Sequence, residues 1–223
     1  MPIAPDILRP FANRREAGGE LAGRLQAYAG RTDVVVLALP RGGVPVGYEV
    51  ARALSAPLDV FHVRKLGVPG HRELAMGALA SGGVRVLDQR LIDHLGVPKS
   101  AIDAIVREEQ AELERRELAY HRTAALHLKD TIVILVDDGL ATGSTMKAAV
   151  QAVRQQQPAQ VIVAVPVGSP EACRDLATLA DEVVCARAPE HFAAVGQWFR
   201  DFSQTTDEEV RGLLEQSRSR VTP

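Results

Sequence analysis

Residues 132–145 read IVILVDDGLATGST, and they are the clearest indication of the fold in this chain. The unbroken apolar run from Ile132 to Val136 is typical of a strand that is covered on both faces, as in a parallel α/β sheet. Asp137 and Asp138 follow at the carboxyl end of that strand, where open α/β sheets bind their ligands. A loop of small residues and the start of a helix come next. We therefore expect a ligand at this strand–loop–helix junction.

The loop after the two acids has the composition of an anion-binding loop. Ala141 and Gly143 are small enough to let backbone N–H groups approach a phosphate, and the following helix offers its positive N-terminus. Hydroxyl donors are supplied by Thr142, Ser144 and Thr145. Two carboxylates beside an anion site suit a ligand with a vicinal diol and a phosphate, such as a ribose 5-phosphate.

Other strand–loop–helix motifs fit the stretch less well. A P-loop requires Gly-x-x-x-x-Gly-Lys-Ser/Thr, but Gly143 is followed by Ser144, and the nearest lysine is Lys147. The spacing from Gly139 to Gly143 does not supply the Gly-x-Gly-x-x-Gly of a dinucleotide site. A phospho-acceptor acid pair, as in receiver domains, is disfavoured by the hydroxyl-rich loop. The simplest alternative is an ordinary strand–turn–helix with a solvated acid pair.

Residues 133–145 resemble the motif with which type I phosphoribosyltransferases bind 5-phosphoribosyl 1-pyrophosphate (PRPP). The shared pattern is four apolar residues, two acids and a short loop of Gly, Ala, Ser and Thr. The resemblance implies that Asp137 and Asp138 bind the ribose hydroxyls. It also implies that the 5-phosphate is held by the loop residues Gly139, Ala141, Thr142, Gly143, Ser144 and Thr145.

A second buried-strand run, residues 34–39, ends in Pro40, Arg41, Gly42 and Gly43. Glycines at a strand end let the backbone bring N–H groups to an anion, and Arg41 adds a fixed positive charge. Alone, this pattern is also typical of a tight turn. Beside the PRPP motif it resembles the family's pyrophosphate loop, which commonly carries a non-proline cis peptide. We expect such a bond near Arg41 and Gly42.

A further strand is predicted at residues 58–63, with Arg64 and Lys65 at its end. A Gly/Pro-rich loop at residues 66–72 follows, and the placement resembles the family's flexible catalytic loop. We expect Arg64 and Lys65 to lie at the ligand edge and to stabilise the departing pyrophosphate. The alternative is a surface loop with ordinary solvated charges.

The segment after the last predicted strand is the candidate acceptor site. Four of the nine aromatic residues fall between Phe192 and Phe202. A base could stack on Phe192 or Trp198, although these side chains fit a core or a subunit interface equally well. In the family a variable hood covers the nucleobase. The specificity signatures of the adenine, hypoxanthine–guanine, uracil and orotate enzymes are not recognised here.

Alternating strands and helices predict an α/β fold with a parallel twisted sheet, flanking helices and a small hood. We expect one domain over residues 1–223, with a core at about 30–187 and a hood from about 1–29 and 188–223. Other strands are predicted at 74–79, 84–87, 161–165 and 183–186. Helices are predicted at 14–29, 89–95, 170–179 and 208–217, and in three segments that end near 54, 120 and 156. The one ending near 120 is long and charged, with a capping box at Ser100 and Asp103.

Composition excludes several classes of protein. A formal net charge of −2, from 26 basic and 28 acidic residues, gives no electrostatic case for nucleic-acid binding. Cys173 and Cys185 lack metal-ligand spacing and are expected to be reduced thiols. No signal peptide or membrane-length apolar stretch is visible. We therefore expect a soluble cytoplasmic protein that binds neither nucleic acid nor membrane.

The resemblance implies a Mg²⁺-dependent enzyme that moves the phosphoribosyl group from PRPP to a nitrogen acceptor, a nucleobase, and releases pyrophosphate. It also implies a homodimer, with Mg²⁺ held mainly through PRPP near Asp137 and Asp138. One alternative is a non-catalytic regulator of the same fold that senses PRPP or a nucleotide. Another is an enzyme for an amine or a phosphorylated sugar. Arg41, Arg64 and Lys65 favour catalysis, because a sensor has less need of cations at the leaving group.

Overall fold

The computed structural model describes residues 9–120 and 127–221 of the chain. These residues form a five-stranded parallel sheet and a three-stranded antiparallel sheet. The strands are β1 (Val34–Ala38), β2 (Leu58–Val60), β3 (Val63–Val68), β4 (His71–Ala80), β5 (Val84–Leu87), β6 (Ile132–Val136), β7 (Gln160–Val167) and β8 (Glu182–Arg187). The helices are α1 (Arg14–Arg24), α2 (Gly43–Leu54), α3 (Gln89–Leu95), α4 (Lys99–Ala119), α5 (Ser144–Arg154), α6 (Pro170–Leu176) and α7 (Asp207–Val221), with 3₁₀ turns at Gln26–Tyr28 and Val195–Trp198.

The parallel sheet has the strand order β2-β1-β6-β7-β8 and confirms the predicted fold class. From β1 the chain passes outward to β2 on one side and later enters β6 on the other, so the order reverses between β1 and β6. Crevices at such reversals bind ligands in open α/β sheets. β1 and β6 run in register from Val34 opposite Ile132 to Ala38 opposite Val136. The loops that follow the two strands therefore leave the sheet side by side.

The burial of β6 explains its unbroken apolar sequence. All five residues are buried, and their side chains alternate between two apolar cores. Ile134 and Val136 lie in the core that α1, α2 and α7 cover, whereas Val133 and Leu135 lie in the core that α5 and α6 cover. A strand buried on both faces has no solvent side on which to place polar residues.

The antiparallel sheet, in the order β3-β4-β5, corrects two predictions. The strand predicted at 58–63 ends at Val60, and a new strand begins at Val63. The loop predicted at 66–72 is instead the end of β3, a turn at Gly70 (φ +79°) and the start of β4. The reason is burial, because Leu66 and Val68 pack in a small core with Met76. The strands predicted at 74–79 and 84–87 are present within β4 and as β5, and they pair as a hairpin.

Several helix boundaries also differ from the predictions, since α6 ends at Leu176 and not at 179, and α7 extends to Val221. The helix expected at 14–29 ends at Arg24 and continues as the first 3₁₀ turn. The capping box expected at Ser100 and Asp103 is wrong, because α4 begins at Lys99 with Pro98 as its N-cap and no side-chain cap. Among the described residues, no helix has both the length and the apolar character needed to cross a membrane.

The described terminal segments pack against each other beside the end of β7. The Phe11 N–H donates to the Trp198 carbonyl, and the Arg200 N–H donates to the Phe11 carbonyl, each at 2.8 Å. Phe11 and Phe199 are buried with Val167, the last residue of β7. This contact brings the start of α1 and the chain before α7 to the same end of the sheet as the loops after β1 and β6.

Candidate active site

The loop after β1 and the acid pair after β6 are in direct contact. The Leu39 N–H donates to the Val136 carbonyl at 2.8 Å, which continues the strand pairing into the two loops. A Cβ added at Gly42 would lie 2.1 Å from Oδ2 of Asp138, and one added at Gly43 would lie 2.9 Å from Cα of Asp137. The two glycines are therefore needed for space. Gly42 itself has ordinary helical dihedral angles, φ −60° and ψ −34°.

A non-proline cis peptide lies between Pro40 and Arg41, one bond before the expected position at Arg41 and Gly42. The Arg41 side chain is partly exposed, and its Nη1 lies 3.7 Å from Oδ1 of Asp207 in α7. Arg41 borders a cavity of about 430 Å³. The cavity is lined by Pro40, Arg41, His62, Arg115, Arg116, Ala119, Tyr120 and Asp207.

Arg115 and Arg116 are cavity residues that the sequence reasoning missed. They belong to the charged helix α4, to which no chemistry was assigned, and both form ion pairs with Glu112. Mixed charges on a long helix indicate a solvated face, so the pattern itself carried no signal. The C-terminal end of α4 reaches the cavity beside Arg41 because α4 packs across the antiparallel sheet.

The predicted phosphate loop lines a second cavity, of about 180 Å³. Gly143 is the N-cap of α5 and has φ +68°, a left-handed conformation that glycine adopts without strain. The loop is tied to the end of β7, since the Leu140 N–H donates to the Val167 carbonyl and the Ser169 hydroxyl donates to the Ala141 carbonyl. All the predicted phosphate residues line this cavity: Gly139, Ala141, Thr142, Gly143, Ser144 and Thr145, together with Asp137.

The two acids share an unfavourable electrostatic environment. Burial raises the pKa of Asp137 well above its usual value, and the neighbouring charge of Asp138 raises it further. Burial also raises the pKa of Asp138, while Arg14 opposes that rise. Both residues keep some solvent exposure at the sheet edge, but protein atoms surround their carboxylates on the other sides. A ligand that offers hydroxyl donors or a cation would relieve the cost of ionising this pair.

Arg14 is a site residue that no sequence pattern indicated. Its Nε donates to Oδ2 of Asp138 at 2.9 Å, although the two residues are 124 positions apart. The Asp138 N–H donates to Oδ1 of Asp137 at 2.8 Å. One oxygen of each carboxylate is thus engaged by the protein. Contacts over such a distance in sequence arise only from the tertiary fold.

Arg64 and Lys65 do not end a strand of the parallel sheet, so their predicted position at a strand end is wrong. They lie inside β3 and pair with Leu79 and Ala78 of β4. Nε of Arg64 donates to Oε2 of Glu109 in α4 at 2.6 Å. Neither cation is among the described residues that line the two cavities. The cationic side chains found beside the first cavity are Arg41, Arg115 and Arg116.

The proposed acceptor residues lie in an apolar cluster. Phe192 and Trp198 are partly buried and pack with Phe11 and Phe199. Phe202 is the more exposed aromatic, at 36%. Its ring lies 5.0 Å from that of Phe199 and 4.0 Å from Cζ of Arg14.

Comparison with known proteins identifies the family. A family model for the phosphoribosyl transferase domain matches residues 70–197, more than half of the chain. Two Mycobacterium tuberculosis proteins, from strains CDC 1551 and H37Rv, are each 46% identical over 211 residues, which cover 94% of this chain and 47% of theirs. Both are named "Putative phosphoribosyl transferase". The chain belongs to the phosphoribosyl transferase domain family, and it spans about half the length of these curated relatives.

A solved structure shows the same architecture. The crystal structure of TT1426 from Thermus thermophilus aligns with 93% of this chain and 98% of its own, at a TM-score of 0.84 and 43% identity. Together these comparisons confirm the resemblance to type I phosphoribosyltransferases.

Proposed function

We propose that this chain moves the 5-phosphoribosyl group from PRPP to a nitrogen acceptor, a nucleobase, and releases pyrophosphate. The observation that supports this most strongly is the close contact of Gly42 with the Asp138 carboxylate. It supports the proposal because the turn at 40–43, our candidate for binding pyrophosphate, lies against the acid pair at the reversal point of the sheet, and our candidate phosphate loop follows the acids directly. A ligand with a pyrophosphate, a diol and a 5-phosphate meets a suitable group for each of these parts.

The 5-phosphate would bind in the cavity lined by residues 139–145, on backbone N–H groups and hydroxyls at the start of α5. The ribose hydroxyls would donate to the carboxylates of Asp137 and Asp138. Those hydrogen bonds offset the cost of holding two carboxylates side by side in a largely buried site.

The residues present fit a magnesium ion that is held mainly by the substrate. Among the described residues, no cluster of three or more His, Cys, Asp or Glu side chains could hold a metal ion. Mg²⁺ commonly binds through one or two carboxylates, substrate phosphates and several waters. Asp137 and Asp138 could supply such carboxylates. When bound, the ion would neutralise charge on the pyrophosphate and so make it a better leaving group.

The protein's part in the reaction is positioning and charge stabilisation. The bond from the anomeric carbon to the pyrophosphate oxygen breaks, and its electron pair leaves with pyrophosphate. The acceptor nitrogen forms the new bond to that carbon, and the proton that it carried passes to water. Arg41 and the backbone of the loop at 40–43 would bind the departing pyrophosphate, and Arg115 and Arg116, which line the same cavity as Arg41 and Asp207, would add positive charge there.

The proposal also includes several expectations from the sequence. The product would be a nucleotide, and the protein would act as a cytoplasmic homodimer. Residues at about 30–187 would form the catalytic core, with the hood from about 1–29 and 188–223. Arg64 and Lys65 stay candidates for the leaving-group site, and Phe192 and Trp198 for the acceptor site.

Pyrophosphate release from PRPP and Mg²⁺, measured across a panel of purine and pyrimidine bases, tests the proposal. We expect release with one base or a small group of bases. The matched control is Asp137→Asn with Asp138→Asn, which should keep the fold and lose the activity. Full activity in this double variant would overturn the assignment of the acids. No release by the folded wild type with any base would favour a PRPP-sensing regulator or a different acceptor.

A further inference from the structure

Arg14 contacts two parts of the molecule that are distant from it in sequence. Its Nε donates to Oδ2 of Asp138 at 2.9 Å, and its Nη1 donates to the carbonyl of Ser203 at 2.7 Å. Its Cζ lies 4.0 Å from the centre of the Phe202 ring. The side chain is only 12% exposed. A guanidinium that is fixed on three sides in this way is a structural junction and not a solvated surface charge.

We infer that Arg14 is a positioning residue that holds the Asp138 carboxylate in its PRPP-binding orientation and joins it to the segment at 201–205. This inference rests on the proposed function, because it gives Arg14 a part in binding PRPP. Arg14 itself would act through Asp138 and not on the reacting atoms.

The backbone of Arg14 is well placed for this role. Arg14 is the first residue of α1, and Asn13 caps that helix by accepting the N–H groups of Arg15 and Glu16 at 3.0 Å each. The guanidinium therefore extends from a fixed helix start. A Cβ at Gly42 would lie 3.4 Å from Nε of Arg14 and 2.1 Å from Oδ2 of Asp138. The glycine, the carboxylate and the guanidinium thus form a single tight contact.

The contact leaves Asp138 able to bind a ligand. Arg14 bonds Oδ2, so Oδ1 stays available for a ribose hydroxyl. Within residues 9–120 and 127–221, Arg14 is the one cation in an ion pair with either acid. Without it, two adjacent carboxylates would lie in a poorly solvated site with no opposing charge, and we expect the Asp138 side chain to rotate away from Asp137.

The contact of Arg14 with Phe202 connects Arg14 to the candidate acceptor region. The Phe202 ring contacts both the Arg14 guanidinium and the Phe199 ring, and a Cβ at Gly196 would lie 3.0 Å from Cδ1 of Phe202. Only a planar guanidinium can bond a carboxylate and a carbonyl at its edge while it stacks an aromatic ring on its face. A lysine at this position could keep the ion pair with Asp138 but not all three contacts.

The test compares Arg14→Gln and Arg14→Lys with Arg24→Gln, an exposed arginine in the last turn of the same helix. Calorimetric titration with PRPP and Mg²⁺ gives the affinity of each variant. We expect Arg14→Gln to bind about tenfold more weakly than wild type, the loss typical of one hydrogen bond to a charged group. Arg14→Lys should show an intermediate loss, and Arg24→Gln should match wild type.

A double-mutant cycle with Asp138→Asn separates positioning from a general structural defect. If Arg14 acts through Asp138, adding Arg14→Gln to Asp138→Asn should cause little further loss of PRPP affinity. The same cycle, measured by urea unfolding without ligand, should show that the two side chains are coupled in the free protein.

The outcomes for this inference and for the proposed function are distinct. Wild-type affinity in Arg14→Gln, or a full additive loss in the double variant, would overturn the role of Arg14 while the proposed function stands. If the wild type does not bind PRPP although the unfolding cycle shows coupling, both the proposed function and the binding role of Arg14 are wrong.

Discussion

Replacing Gly42 with alanine should damage the site without any change in charge or polarity. The new Cβ would lie 2.1 Å from Oδ2 and 2.7 Å from Cγ of Asp138, far inside van der Waals contact. Gly42 has helical dihedral angles, so the alanine backbone is not strained there. The whole effect must come from displacing the carboxylate, and with it the hydrogen bond from Arg14.

The magnitude follows from two opposing terms. Forcing an extra methyl into a filled space costs about 1–3 kcal/mol. Gly-to-Ala substitution at a compatible position returns about 0.4–1 kcal/mol through the unfolded state. We expect a net loss of roughly 1.3 kcal/mol in the free energy of unfolding, the difference between the midpoints of these two ranges. PRPP affinity should fall by at least about tenfold, because the displaced Asp138 would lose its proposed hydrogen bond to the ribose.

Urea unfolding and calorimetric titration with PRPP and Mg²⁺ measure the two effects. Gly19→Ala is the matched control, because Gly19 is an exposed residue inside α1 and a Cβ there meets no atom within 4 Å. It should raise stability by about 0.5–1 kcal/mol and leave binding unchanged. If Gly42→Ala instead gains stability like the control and binds PRPP normally, the close contact between the two loops does not exist as described.

Two further substitutions test the electrostatics and the support of the phosphate loop. Burial raises the pKa of Asp137 in the folded protein. Between the usual carboxyl pKa of the unfolded chain and this raised pKa, the folded protein binds more protons than the unfolded chain does. The free energy of unfolding should therefore fall as the pH rises through this range. In urea unfolding, Asp137→Asn should reduce this fall and be more stable than wild type at neutral pH. If the unfolding free energy of the variant depends on pH as that of the wild type does, the pKa of Asp137 is not raised. Ser169→Ala removes the α6 N-cap and the hydrogen bond to the Ala141 carbonyl. It should cost about 1 kcal/mol in unfolding free energy and weaken PRPP binding, whereas loss of stability alone would show that the bond does not order the phosphate loop.

The elements that the sequence predicted correctly are those with a strong local pattern. Within residues 132–145, an unbroken apolar run, two acids and several small residues follow one another. Each of these features indicates its own element, β6 or the loop to α5, without reference to distant parts of the chain. The turn at Gly42 and Gly43 was also recognisable, because glycines at a strand end indicate either a tight turn or a loop that binds an anion. The resemblance to the family then linked the loop after β1 to the loop after β6, although the two lie far apart in the chain.

The failures come from packing that the sequence does not display. Residues 66–72 were predicted to form a loop from their glycine and proline content, but burial of Leu66 and Val68 extends the hairpin through them. Arg14 reaches Asp138 only because the start of α1 is packed against the end of β7 and the chain before α7. The arginines at the end of α4 reach the cavity beside Arg41 for a similar reason, because α4 crosses a sheet that was not predicted in full.

The most direct test of the central proposal is a calorimetric titration of the wild-type chain and of Asp137→Asn with Asp138→Asn, using PRPP and Mg²⁺. We expect the wild type to bind one PRPP per chain and the folded double variant to show no measurable binding under the same conditions. Equal binding by both proteins, or none by a folded wild type, would contradict the assignment of the loop after β6 as a ribose 5-phosphate site.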